Sequence, residues 1–302
     1  MAAFGRRVHG IALVAGLGLA VVVAGCGSSG TTPSTPASVS MSASAVTPAP
    51  AGQVTVTFTG TGLTSDVVDR ELALVKQRIT SEQLSGATAG LSPDGHSLVV
   101  RGPSAEKDQL VMLGHSGVLE FRPVLATGVT GASSAASSSG QTPSGVPADL
   151  WQSFVGLDCK KAEATDEPAV GHMGEQATAQ IVACQNDGAQ KYVLDATAVS
   201  GASISSASTQ PSSTAGGWEV DLSLNAAGAT QFGQLTTRLA GSGGQVAITM
   251  DGIVYSAPAI QNPITGGQVQ IVGSFNQATA RSLAAILESG ALPVSLSVSS
   301  VS

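Results

Sequence analysis

The stretch from Gly244 to Pro293 constrains the fold most, because strand, turn, strand, helix and helix stop follow one another in it without a break in composition. Val246, Ile248 and Met250 alternate with small or polar residues, Asp251-Gly252 forms a two-residue hairpin turn, and Ile253 and Tyr255 open the returning strand. Pro258 and Pro263 then bar a central strand, since proline has no N–H for the ladder. A short strand is predicted over 268–272. Asn276 is placed to cap a helix with Ala280, Leu283, Ile286 and Leu287 on its buried face, and Gly290 stops that helix in a left-handed conformation.

The start of the chain has the three parts of a secretory signal: Arg6 and Arg7, an apolar run from Ile11 to Ala24, and small residues before Cys26. That run is shorter than the roughly 20 residues a spanning helix needs. Val23-Ala24-Gly25-Cys26 resembles the bacterial lipobox, which implies a signal peptide over 1–25 and a diacylglycerated Cys26 as first mature residue. An uncleaved anchor and an unmodified secreted chain are the alternatives. Residues 26–52 are mostly Ser, Thr, Pro, Ala and Gly without charge, a composition that cannot bury enough surface to offset ordering entropy and reads as a tether.

Folded sequence is expected from Gln53, where Val54, Val56 and Phe58 alternate with threonines. Thr64 or Ser65 then caps a helix whose apolar stripe is Val68, Leu72, Val75 and Ile79. Strands flank the turn at 91–95, Ser104 caps a second helix carrying Leu110, Val111 and Leu113, and a strand follows over 118–124. This order is that of a split βαβ, or ferredoxin-like, base over 53–125. A low-complexity linker is expected over 126–148. An α+β head follows over 149–292, with antiparallel strands packed by helices. In it Trp218, Val220, Leu222 and Leu224 share one strand face, Trp218 being read as a packing residue, and Asn225 caps a helix with Ala229, Phe232, Leu235 and Leu239 on its inner stripe. Residues 293–302 alternate as a last strand, which the family resemblance given below implies returns to the base.

The succession DGIVYSAP, NPITGG, short strand, and helix ending in SGALP resembles the head subdomain of the first extracytoplasmic domain of SecD, an auxiliary of the Sec translocon. GGWEVDLSLN resembles the same head, and Arg78-Ile79 with GVLEFRPV at 117–124 resembles the SecD base. The resemblance implies a module that contacts unfolded polypeptides leaving the translocon, with Sec components and exported chains as partners, and the lipobox implies a lipid anchor as its hold on the extracytoplasmic face of the cell membrane. No apolar run of spanning length follows Cys26, so the resemblance carries over a domain and not a proton-driven motor. Tyr255, Pro258, Ile260 and Pro263 are the candidate polypeptide-binding residues, since an extended client could add to an uncharged strand edge beside them. The alternative is an envelope binding or structural lipoprotein without a Sec role.

Cys159 and Cys184 sit in segments that resemble the cysteine-bearing part of actinobacterial SecD heads. With Cys26 lipidated they make an even pair in an exported protein and are expected to form one disulfide. A metal site would need more ligands than His172 adds, and a catalytic thiol would need a partner histidine of which spacing gives no hint. Neither a nucleophile elbow, a phosphate loop nor a dinucleotide fingerprint occurs, and Gly114-His115-Ser116-Gly117 lacks the elbow spacing. No catalytic activity, cofactor or metal is therefore expected. The net charge of −7, which becomes −9 once Arg6 and Arg7 are removed, and the absence of a Lys/Arg cluster argue against nucleic acid as a partner.

The lipobox reading is checked by fractionation. The processed protein is expected in the membrane fraction, and Cys26→Ala is expected to stay unprocessed or to be released. Soluble protein with an unmodified Cys26 refutes it.

Overall fold

The computed structural model describes residues 52–130, 142–162, 177–213 and 216–302. The signal sequence, Cys26, nearly all of the tether, the centre of the low-complexity insert and His172 lie outside the described residues.

The fold is α+β, with three antiparallel sheets. The first is built from β1 (Gln53–Thr59), β2 (Thr88–Leu91), β3 (Leu98–Pro103) and β13 (Ser297–Val301), in the order β13-β1-β3-β2. Helices α1 (Ser65–Glu82) and α2 (Lys107–Met112) cover it over a core of Val56, Phe58, Val75, Val100 and Leu110. Ser104 opens a 3₁₀ turn ahead of α2 rather than capping it, and no side chain caps that helix.

The second sheet contains β4 (Leu119–Val129), β5 (Ile181–Cys184), β6 (Gln190–Leu194), β10 (Val246–Met250) and β11 (Ile253–Ser256), in the order β11-β10-β4-β6-β5. The short β7 (Val199–Ser200) pairs with β4. Asp251 (φ 51°) and Gly252 (φ 81°) both take positive φ in the β10–β11 turn, as a type I′ hairpin requires. A single parallel bridge, Gln185 to Val254, brings the two outer strands β5 and β11 together. The third sheet, β12-β9-β8, joins β8 (Ile204–Pro211), β9 (Trp218–Leu224) and β12 (Gln268–Phe275). Helices α5 (Ala226–Leu239) and α6 (Gln277–Ser289) pack with the second and third sheets around one core, in which the rings of Phe121 and Phe232 meet in a T-shaped pair with centroids 5.2 Å apart. Asn225 caps α5, and Asn276 forms a capping box with Thr279 on α6. Gly290 ends α6 with φ 82° and ψ 178°, a glycine-only conformation but not the left-handed helical one.

The strand expected to complete the ferredoxin-like base does not join it. β4 pairs with β10 and β6 instead, setting Phe121 opposite Ile248, and β13 fills the fourth place beside β1. Alternation of Leu119 and Phe121 fits either sheet, and the choice is made by a partner strand more than 100 residues away. β4 also runs to Val129, so the first residues of the expected linker are strand, while α3 (Ala148–Gly156) takes up its end. Cys159 and Cys184 are joined, with Cα atoms 5.6 Å apart, tying the short α4 (Cys159–Ala162) to β5. Closing a loop of this length restricts the unfolded chain by roughly 3 kcal/mol. The Lys191 ammonium donates to the carbonyls of Val155 and Leu157 at 3.0 Å, closing the end of α3 against β6.

Helix α1 buries Val68, Glu71, Val75, Arg78 and Glu82, whereas Leu72 and Ile79 are half-buried against the first sheet. The inner face is polar because it meets α6 and its exit. Arg78 is fully buried, and its guanidinium donates to Ser289 Oγ at 2.9 Å, Leu113 O at 2.8 Å, Gly290 O at 3.0 Å, Ser116 O at 3.5 Å and the carbonyl of His115. Glu71 Oε1 accepts from the Val294 amide at 2.7 Å, and Asp251 accepts from the amides of Gly117 and Val118. Burial lowers the guanidinium to about 10, with Asp251, Glu71 and Glu82 opposing the shift, so Arg78 is charged at neutral pH. An ammonium has three donors and no planar fork. Arg78→Lys is expected to cost about 3 kcal/mol of stability, read as a lower denaturant midpoint at unchanged slope. An unchanged midpoint refutes the role given to Arg78.

Candidate functional site

An open groove of about 480 Å³ lies between the segment after β11, strand β12 and helix α5. Its floor consists of the buried side chains Phe232, Val246, Ile248, Ile260 and Val269, and its rim of the exposed Pro258, Gln261, Asn262, Gln268 and Gln270. Among the described residues lining it, none carries a charge.

The groove follows from backbone rules already visible in the sequence. Pro258 and Pro263 keep residues 257–267 out of the sheet, so this segment is fastened by isolated bonds: Ile260 N to Gly244 O at 2.8 Å, Val246 N to Pro258 O at 3.1 Å, and Ile264 N to the buried Thr236 hydroxyl at 2.9 Å. Being held away from β12, it leaves that strand paired on one side only, with β9. The other edge of β12 borders the groove. The side chains of Gln261 and Asn262 make no hydrogen bond among the described residues, while Gln270 is engaged with Glu219 and Asp221.

Of the four residues singled out in the sequence, Pro258 and Ile260 line the groove, and Tyr255 and Pro263 do not. Tyr255 stacks on Phe275, ring centroids 6.1 Å apart, and burial followed by the nearby Asp251 pushes its phenol up to about 12. Pro263 is exposed on the same segment. Phe232, Val246, Ile248 and Val269 were legible only as core positions, because a groove floor and a closed core have the same apolar alternation. Trp218 is half-buried against the main core, a packing residue. His115 Nδ1 lies 3.6 Å from Asp251 Oδ2, and His96 is exposed. Among the described residues no group of three or more His, Cys, Asp and Glu side chains is placed to hold a metal ion.

Comparison with known proteins agrees with this architecture. Two solved SecDF structures share the fold: the super-membrane-facing form, with a TM-score of 0.52 at 24% identity over 83% of this chain and 30% of that one, and one described as a membrane component SecDF that enhances protein export, with a TM-score of 0.50 at 24% identity over 82% of this chain and 98% of that one. Protein translocase subunit SecD of Streptomyces coelicolor is 38% identical over 163 residues, 51% of this chain and 28% of that protein. SecD of Acidaminococcus fermentans is 48% identical over 79 residues, 26% of this chain and 18% of that protein. The chain thus spans less than a third of the length of these relatives. Its α+β fold is shared with these SecDF structures, and part of its sequence is similar to protein translocase subunit SecD. Residues 179–294 match the family described as SecDF, P1 head subdomain. Among the described residues no helix is long and apolar enough to cross a membrane.

Proposed function

We propose that this protein serves protein export by holding unfolded polypeptide at the outer face of the membrane, where Cys26 anchors it by lipid and Sec components are its neighbours. The observation that carries the reading is the uncharged apolar groove beside the unpaired edge of β12. An extended chain can add its backbone to that edge and set alternate side chains on Phe232, Ile248 and Ile260. Main-chain pairing is indifferent to sequence, which suits a site that meets many clients. The name of one solved relative, a membrane component SecDF that enhances protein export, supports the same reading. No chemistry beyond binding is required, and neither cofactor nor nucleic acid enters it.

Pro258 is exposed on the rim and Ile260 is buried at the floor, so the two separate binding from packing. Pro258→Asp is expected to weaken binding of an unfolded apolar polypeptide at least about tenfold with stability changed by less than about 0.5 kcal/mol. Ile260→Asp is expected to lose both. Tyr255→Phe, away from the groove, is expected to leave binding unchanged, and wild-type affinity is expected to vary little with salt because the lining carries no charge. Fluorescence anisotropy with a labelled unfolded chain reads all of these. A folded wild-type protein that binds no unfolded chain refutes the reading and leaves an envelope lipoprotein without a Sec role.

A further inference from the structure

At the last turn of α1, Glu82 is 3% exposed, and its Oε2 accepts a hydrogen bond of 2.6 Å from the hydroxyl of Ser282 on α6, itself fully buried. Its other oxygen, Oε1, is buried and has no hydrogen-bond partner among the described residues. The nearest cation is Arg78, one turn earlier on the same helix, but the donors of that guanidinium go to four backbone carbonyls and Ser289 and none bonds Glu82. From the turn before α2 the facing ionisable group is Glu106, of like charge, whose Oε2 is also buried without a partner. Glu71 lies three turns back on α1 and is committed to the Val294 amide. The ionisable groups of α6, Arg281 and Glu288, are exposed and line a shallow dent beside Ser81 and Gln83. Among the described residues no contact supplies Glu82 with a counter-ion.

We propose that Glu82 and Ser282 form a proton-gated latch between α1 and α6, closed while Glu82 is a neutral carboxylic acid and loosened when its proton leaves to solvent. In the closed state the acid accepts the Ser282 hydroxyl on one oxygen and carries its proton on the other. After ionisation Oε1 would be a buried charge without a donor, and a carboxylate so placed is relieved only by admitting water to the α1–α6 contact. Helix α6 packs its other side on β8 and β9, so the latch governs how firmly the head sheet is fixed to the base. This device is independent of the groove and of what the groove binds.

The direction of the effect follows from linkage. Burial, the largest cause, and Glu106 raise Glu82 from its ordinary 4.5 to about 7, against the Ser282 hydrogen bond and Arg78. A carboxyl raised in the folded state contributes stability that is full below its unfolded value and is lost as pH rises through the folded one, here between 4.5 and about 7. With those two values, opening of the contact rises roughly 30-fold between about pH 5.5 and about pH 8.5.

Amide hydrogen exchange of the full chain, corrected for the intrinsic rate at each pH, reads the opening in 277–289. The expected result is roughly 30-fold lower protection there at the higher pH in the wild type, and equal protection at both in Glu82→Gln, whose amide keeps an acceptor for Ser282 and cannot ionise. Equal protection at both values in the wild type, or undiminished pH dependence in a folded Glu82→Gln, overturns the latch. Carbon-13 titration of the wild-type glutamate carboxyls needs no variant. A carboxyl with its midpoint near pH 7 that disappears in Glu82→Asp supports the proposal, and the absence of any glutamate midpoint above about 5.5 overturns it.

Discussion

The buried guanidinium of Arg78 is the contact on which the rest of the structure depends. It bonds the α2–β4 connection at Leu113, His115 and Ser116, and the exit of α6 at Ser289 and Gly290, which lie 35 to 212 positions away along the chain. Only a planar fork of donors can satisfy carbonyls from two directions at once. The carbonyl of Gly290 is available because glycine accepts the φ of 82° that ends α6. Without the guanidinium the buried Leu113 carbonyl would lose its partner, at a cost of about 1–3 kcal/mol, whereas the Ser116 carbonyl would keep the Leu292 amide. The acidic groups around it temper its desolvation, and Asp251 does so while fastening the start of β4 through the Gly117 and Val118 amides.

This joint bears on the groove through α6 and the hairpin. α6 carries the β12-β9-β8 sheet on one side, and Asp251 turns the hairpin whose β10 supplies Val246 and Ile248 to the groove floor. One wall, β12, and the floor are thereby referred to the same base. The prolines contribute by exclusion: a segment able to pair with β12 would have closed the site. A rigid, preformed edge costs a client less ordering entropy than one assembled on binding.

Much of this was legible in the sequence where a short-range rule decides the outcome. Asp251-Gly252 admits a type I′ turn, Asn225 and Asn276 cap their helices, and Pro258 and Pro263 interrupt the sheet, each by local stereochemistry. What was not legible depends on distant partners. The residues of β4 alternate equally well for the base or the head, and Arg78 stood out only through the family resemblance of Arg78-Ile79, not as a buried residue. Its burial requires carbonyls from two stretches of chain, 113–116 and Gly290, that no spacing brings together. The groove was half visible: Pro258 and Ile260 were found through the prolines, whereas Phe232 and Val269 share the pattern of any core residue. The return of 293–302 to the base was expected through the family resemblance and not from spacing, since β13 pairs with β1 across almost the whole described chain.

The central claim is that the open edge of β12, with the floor beneath it, is where an extended polypeptide lies. Amide chemical shifts of the nitrogen-15-labelled protein, followed as an unfolded apolar peptide is added, test it most directly. Perturbation concentrated at Ile260, Gln261 and the amides of 268–272, with new protection from solvent exchange along β12, is the expected result. Shifts confined to the other edge of the same sheet, β8, or to the base strands β2 and β13, would contradict it.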